Sequence, residues 1–199
     1  MRCFSRLFSS IFLIFYFSTP VLADEICEAR GVPPNYVYDE VQGECIHFFE
    51  AICLYGLRDD QEIQKTVDAL LYIANKIAGV RLVNKCKDAA KFLDRQKLLV
   101  VRRNEVRNLK PFIGFQNLEI LQLTGTLVSD VTELRHLKKL RKLGLESTQI
   151  SSIESLKLLL NEIPNLQEID IVNTPIDLND QLRLWRLGNI RSPHVKITF

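Results

Sequence analysis

The chain has 199 residues with 26 lysines and arginines, 24 aspartates and glutamates and three histidines, so its formal net charge is +2. This balance gives no reason to expect nucleic acid or an anionic membrane surface as the partner. Because it contains no HExxH motif, no CxxC pair and no glycine-rich phosphate loop, the sequence predicts no enzyme, no cofactor and no metal site.

Residues 1–23 have the pattern of a secretory signal peptide. Arg2 and Arg6 precede an apolar run from Leu7 to Phe17, and Ala23 ends a Val-Leu-Ala sequence suited to signal peptidase. The apolar run is shorter than the roughly 20 residues that a transmembrane helix needs. We therefore expect an exported protein, periplasmic or extracellular, with no membrane span after cleavage. Loss of the two arginines brings the formal charge to zero.

Four cysteines lie after the predicted cleavage site, all of them before the repeats: Cys27, Cys45, Cys53 and Cys86. An even number in an exported chain predicts two disulfide bonds. Three pairings are open from the sequence, and the favoured one joins Cys27 to Cys45 and Cys53 to Cys86. The first bond would close the Gly- and Pro-containing segment between its two cysteines into a loop.

Residues 24–95 predict a helical, disulfide-containing amino-terminal cap domain. Its first part, to Gly43, is expected to be irregular, and residues 44–57 are expected to form a helix. A second helix is capped by Asp59 and Asp60, carries an apolar face that includes Ile77, and ends at Gly79. A third helix ends near residue 95.

Residues 96–199 predict a repeat domain. Leucines 118, 121 and 123 are followed by Thr126, and a shift of 22 residues finds Leu140, Leu143, Leu145 and Thr148 in the same places. The strands are expected to centre on residues 99–101, 121–123, 143–145, 169–171 and 195–197. Their spacings are 22, 22, 26 and 26 residues, and helices are expected in the longer connections, at 156–163 and near 182–187.

The pattern from Leu118 to Leu137 resembles the 22-residue leucine-rich repeats of bacterial internalins and related exported proteins. The resemblance covers about residues 99–199. It implies an α/β solenoid in which a parallel concave sheet of about five strands follows a helical, cysteine-containing amino-terminal cap. It also implies a general role in protein–protein interaction.

The expected binding surface consists of side chains that point away from the core in neighbouring strands, because alternate residues of a strand face opposite sides. When the five predicted strands are aligned side by side, Lys196 is expected beside Asp170, and His194 is expected beside Glu168. An apolar end next to two arginines is typical of interface cores. The candidate partner-binding residues are Leu98, Val100, Arg102, Arg103, Ile120, Gln122, Thr124, Lys142, Glu146, Glu168, Asp170 and Lys196.

Two other functions fit the sequence. The protein could be a structural envelope component that self-associates weakly through its last strand, or the cysteine-containing domain could bind its own ligand with the repeats as a spacer. Charge is also uneven, since residues 24–60 hold nine acids and two arginines, whereas residues 76–110 hold eleven bases and three acids. These segments face each other or are solvated, or the basic segment meets an acidic partner.

Overall fold

The structure is a computed structural model that describes residues 26–32, 35–39, 41–55, 60–79, 85–191 and 193–199. The predicted signal peptide lies outside these residues. None of the described helices combines the length and the apolar character needed to cross a membrane.

The chain begins with a hairpin where the sequence predicted irregular structure followed by helix. Residues 26–29 are helical, and strands β1 (Tyr36–Asp39) and β2 (Glu44–His47) then pair in antiparallel fashion. The Asp39 side chain accepts hydrogen bonds from the backbone N–H groups of Val41 and Gln42, which shapes the connecting turn. The predicted helix over 44–57 was therefore wrong in its first four residues; helix α1 spans Phe48–Tyr55.

Helices α2 (Gln61–Ala78) and α3 (Lys85–Leu93) lie where the sequence predicted them. Oδ1 of Asp60 accepts hydrogen bonds from the N–H groups of Glu62 and Ile63 at 3.0 and 3.1 Å, which confirms this residue as the amino-terminal cap. Gly79 ends α2 with a φ of 65°, as expected for a glycine cap. Asp59, the other predicted cap, lies outside the described residues.

Two pairs of cysteines lie at bonding distance in this amino-terminal unit. The Sγ atoms of Cys27 and Cys45 are 2.12 Å apart, and those of Cys53 and Cys86 are 2.03 Å apart. These are the pairs that the sequence favoured. The second bond joins α1 to α3, and a bond of this kind typically stabilises a small domain by about 2–4 kcal/mol.

Five short strands then form a parallel sheet in chain order. They are β3 (Leu98–Val100), β4 (Ile120–Gln122), β5 (Lys142–Gly144), β6 (Glu168–Asp170) and β7 (Lys196–Thr198). Paired residues follow the predicted steps of 22, 22 and 26 as far as β6. The last step is 28 residues, not 26, because Glu168 pairs with Lys196. The connection is longer because helix α5 (Leu178–Ile190) extends over 13 residues.

The core lies on one side of the sheet. Each strand turns one aliphatic side chain inward, and Leu99, Leu121, Leu143, Ile169 and Ile197 are in register and buried. Short 3-10 helices (Lys110–Phe112 and Thr132–His136) connect the early strands, and helices α4 (Glu154–Glu162) and α5 connect the later ones. Burial of each aliphatic side chain contributes roughly 1.5–3 kcal/mol.

Threonines in the turns are structural. The Oγ1 atoms of Thr126, Thr148 and Thr174 each donate to the carbonyl oxygen three residues earlier, at 2.7–2.8 Å. The first two are 1% exposed. The same bond in three successive turns satisfies a backbone acceptor at each strand end, so these hydroxyl groups are not a binding site.

His47 joins the amino-terminal unit to the first repeat. Its Nδ1 accepts a hydrogen bond from the Phe49 N–H at 3.1 Å, so the proton lies on Nε2, which donates to the Gly114 carbonyl at 3.0 Å. Nδ2 of Asn35 donates to the same carbonyl at 3.0 Å. The imidazole also stacks near the ring of Phe115, with the ring centres 5.9 Å apart. A buried polar contact and an aromatic cluster thus hold the two parts together.

Candidate protein-binding surface

The outer face is the side of the sheet that points away from the core. In each strand the residues next to the buried aliphatic one belong to this face, and most of them are partly or fully exposed. One row consists of Leu98, Ile120, Lys142, Glu168 and Lys196, and the second consists of Val100, Gln122, Gly144, Asp170 and Thr198. The sequence predicted both rows correctly as far as β6.

The predicted position of Lys196 was wrong by one row. It was expected beside Asp170, but it lies beside Glu168, and His194 falls outside the strand. The cause is the 28-residue last step, which shifts β7 by two residues against β6. The Nζ atom of Lys196 is 3.1 Å from Glu168, and that of Lys142 is 2.9 Å from the same carboxylate.

The acidic side chains in and beside the first row are neutralised by their neighbours. Hydrogen bonds from Lys142 and Lys196 lower the pKa of Glu168. Glu119, just before β4, lies 2.8 Å from Lys97 and 3.7 Å from Arg141, and the hydrogen bond from Lys97 lowers its pKa. The charged part of the first row, Lys142, Glu168 and Lys196, is therefore paired internally, and the row ends in the apolar side chains of Ile120 and Leu98.

The centre of the second row is shallow. Gly144 is buried because the Gln122 side chain lies over it, and a Cβ at this glycine would clash with the Oε1 atom of Gln122. Asp170 is only partly available, because its Oδ1 accepts a hydrogen bond from the Val172 N–H at 3.0 Å. Among the described residues, the Gln122 side chain forms no hydrogen bond to the backbone. It is therefore the polar side chain at the centre of this row that a partner can contact.

The remaining predicted residues differ in position. Thr124 and Glu146 continue the outer face past the strand ends and are half-buried, while Arg102 is exposed. Arg103 turns toward α2, where its guanidinium lies 4.5 Å from the centre of the Tyr72 ring and its Nε is 3.4 Å from Glu105. It therefore belongs to the junction between α2 and β3 and not to the middle of the sheet.

A groove of about 850 Å³ lies at this junction, between helix α2 and strand β3. Its apolar walls include Tyr72 and Ile77 of α2, which are 53% and 51% exposed, and Leu98 and Val100 of β3, which are 51% and 39% exposed. Its basic residues are Lys76, Arg95, Lys97, Arg102 and Arg103, and none of the described residues that line it is acidic.

The sequence predicted only the β3 side of this groove. Helical spacing placed Ile77 on the buried face of α2, but the last turn of the helix runs past the core and leaves this side chain exposed. The sequence does not indicate that this isoleucine and the tyrosine five residues before it are exposed. Helical spacing shows which side chains share a face, but it does not show whether another part of the chain covers that face. Among the described residues, no group of three or more histidine, cysteine, aspartate or glutamate side chains could hold a metal ion.

The parallel strands, the inward leucines and isoleucines and the turn threonines define a leucine-rich-repeat-like fold. No family model matches the chain, and no curated protein matches it. Among solved structures, it is similar to an internalin (inlF) of Listeria monocytogenes, with 23% identity over 56% of this chain and 32% of that one and a TM-score of 0.42.

Two further structures are similar to the chain. A leucine-rich-repeat protein of Leptospira interrogans shares 26% identity over 47% of this chain and 22% of its own, with a TM-score of 0.38. Internalin C2 of Listeria monocytogenes shares 18% identity over 65% of this chain and 52% of its own, with a TM-score of 0.45. The chain spans about half the length of these proteins or less.

Proposed function

We propose that this is an exported protein–protein interaction module that binds its partner through the outer face of the sheet. Residues 1–23 serve as the signal peptide, 24–95 as a disulfide-containing amino-terminal cap, and 96–199 as the leucine-rich-repeat domain. The observation that carries the proposal is the exposure of the outer face: its side chains remain accessible across five strands, while the described helices pack on the core side or at its ends.

Export is supported by two independent features. The amino terminus has the charge and apolar pattern of a signal peptide. The four cysteines after it lie in pairs at bonding distance, and disulfides persist in oxidising compartments such as the periplasm or the cell exterior.

The composition of the face fits a protein partner. Apolar Leu98, Val100 and Ile120 cluster at one end beside Arg102, and interface cores are enriched in apolar side chains and arginine. The other end, from Lys142 to Lys196, consists of paired charges, which suits a polar rim.

Replacing Gln122 with arginine should separate binding from folding. The side chain faces outward, so the change should alter the free energy of unfolding by no more than about 0.5 kcal/mol, while a bulky charge in the second row should weaken a docked partner. The partner is obtained by cross-linking in the native envelope, and its affinity is measured for both forms. Asp170→Lys is a poorer variant, because it also removes the acceptor for the Val172 N–H.

The matched control is Asn161→Arg, which places the same group on α4, on the other side of the repeat. We expect unchanged affinity for this control. If the captured partner binds the Gln122 variant as tightly as the unaltered protein, its binding surface lies elsewhere and the proposal is wrong.

Self-association through the last repeat is the second candidate, and helix α5 favours it. Leu178, Leu182, Trp185 and Ile190 are 64%, 40%, 47% and 80% exposed. Among the described residues, strand β7 beside this helix is also the last strand of the sheet. The Lys196 N–H donates to the Gln167 carbonyl, and the Thr198 carbonyl accepts from the Ile171 N–H, so both groups point toward β6. The N–H and carbonyl groups of Ile197, which lies between them, therefore point in the opposite direction, away from β6.

If this face forms a dimer, Trp185→Glu should abolish it, because a buried carboxylate would replace the largest exposed apolar side chain of α5. The exposed neighbour Arg186 provides the control, and Arg186→Glu should leave the dimer intact. Light scattering over a concentration series measures both. A protein that stays monomeric at the highest concentration, or a dimer that survives the Trp185 change, rules this candidate out. A proline at Lys196 is unsuitable, since it removes the bond to Gln167.

A further inference from the structure

We propose that the groove between α2 and β3 binds an extended, acidic peptide segment of the partner, which adds to the sheet as a strand beside β3. The inference rests on the proposed function and gives it a specific site and ligand chemistry. Three observations carry it: the direction of the β3 backbone groups, the apolar walls of the groove, and its charge.

Strand β3 is an edge strand with backbone groups that face the groove. The Lys97 carbonyl accepts from Ile120, and the Val101 N–H donates to the Gln122 carbonyl, so both groups point toward β4. Peptide groups alternate along a strand, and the N–H and carbonyl groups of Leu98 and Val100 therefore point the opposite way. Within the part of the chain that the structure describes, these groups have no hydrogen-bond partner. An extended peptide can bond to them without breaking a hydrogen bond between described residues.

The walls can hold apolar side chains of such a peptide. Tyr72 and Ile77 lie on the α2 side, and Leu98 and Val100 lie on the β3 side, each at least 39% exposed. Helix α2 and strand β3 do not pack tightly against each other at this point, and the space between them is a groove of about 850 Å³. A strand that occupied this groove would pack alternate side chains against these walls.

The charge of the groove selects an acidic occupant. Of the residues that the structure describes, five basic ones and no acidic one line it. Lys97 is paired with Glu119, and Arg103 with Glu105. Among the described residues, the side chains of Lys76, Arg95 and Arg102 form no hydrogen bond or ion pair, and they line the groove from α2, from the segment before β3 and from the residues after β3. Carboxylates that alternate with apolar side chains would meet these three groups.

The test uses a short fluorescein-labelled peptide in which valine alternates with glutamate and threonine. Fluorescence polarisation with the disulfide-intact protein should show binding that weakens as salt is added. A peptide with lysine in place of glutamate, and one with N-methyl groups on the backbone nitrogens of alternate residues, should bind at least about tenfold more weakly, because they lose charge complementarity and strand pairing respectively.

Two variants locate the binding. Val100→Pro removes an N–H that points into the groove and keeps the bonds to β4, which edge strands tolerate. It should weaken the acidic peptide about tenfold, with circular dichroism and melting temperature unchanged, and Arg102→Gln should reduce the salt dependence. Because a proline could disturb β3, Arg102→Gln provides an independent readout. Lys157→Gln, on α4, is the control and should change nothing.

Three results would overturn the inference: no binding of the acidic peptide, equal binding of the N-methylated peptide, or binding that Val100→Pro does not weaken and whose salt dependence Arg102→Gln does not reduce. Its failure is distinguishable from failure of the proposed function. A captured partner that loses affinity with Gln122→Arg but not with Val100→Pro or Arg102→Gln would support the outer face as binding surface and contradict the groove. A partner insensitive to Gln122→Arg would contradict the proposed function.

Discussion

Replacing Leu121 with aspartate should unfold the repeat region, whereas the same change at the next residue, Gln122, should leave it folded. Leu121 is fully buried in the second strand, between Leu99 and Leu143. An aspartate there loses the apolar contacts of the leucine and buries a carboxylate with no partner. We expect a loss of about 4 kcal/mol or more in the free energy of unfolding, a large part of the total for a chain of this size.

Urea denaturation followed by circular dichroism measures both variants, and the Gln122 variant is the control for the added charge. Its side chain is on the outer face, and its free energy of unfolding should change by no more than about 0.5 kcal/mol. If the two variants lose similar stability, the assignment of inner and outer faces is wrong, and the proposed binding surface is wrong with it.

Gly114→Ala should loosen the joint between the amino-terminal unit and the first repeat. A Cβ at this position would lie 2.6 Å from Cε1 of His47. The imidazole cannot move aside easily, because it is 3% exposed and bonded at both ring nitrogens. We expect the variant to lose about 1–3 kcal/mol, the usual range for overpacking a buried contact.

A double-mutant cycle with His47→Ala tests the cause of this loss. Removing the imidazole makes room for the new methyl group, so Gly114→Ala should cost much less in the His47→Ala background than in the unaltered protein. Equal costs in both backgrounds would show that the two residues are not in contact, and that the amino-terminal unit meets the first repeat in another way.

The sequence predicts those parts of the fold that are set by regular spacing. Strands β3 to β6 lie within one residue of their expected positions, because one aliphatic pattern repeats in phase. The ends of α2 follow from the local chemistry of Asp60 and Gly79. The favoured pairing of cysteines closes the Gly- and Pro-containing segment between Cys27 and Cys45 into a loop, and the structure joins the same pairs.

Features that depend on distant contacts were missed. The β1–β2 hairpin has four residues in each strand, too few to show alternation, and its first strand was hidden among turn-forming residues. The register of β7 depends on the residue at which α5 ends. Helix propensity does not predict that residue to within one turn. The groove exists because α2 passes the edge of the sheet at a distance, and spacing along a helix contains no such information.

Photo-cross-linking in the native envelope tests the central claim, that the partner docks on the outer face of the sheet, most directly. A photoreactive amino acid is placed at Lys142, exposed in the middle strand, or at Asn161, exposed on α4 on the other side of the repeat. We expect a partner protein to be captured from position 142 and not from position 161. Capture from position 161 alone, or equally from both positions, would contradict it.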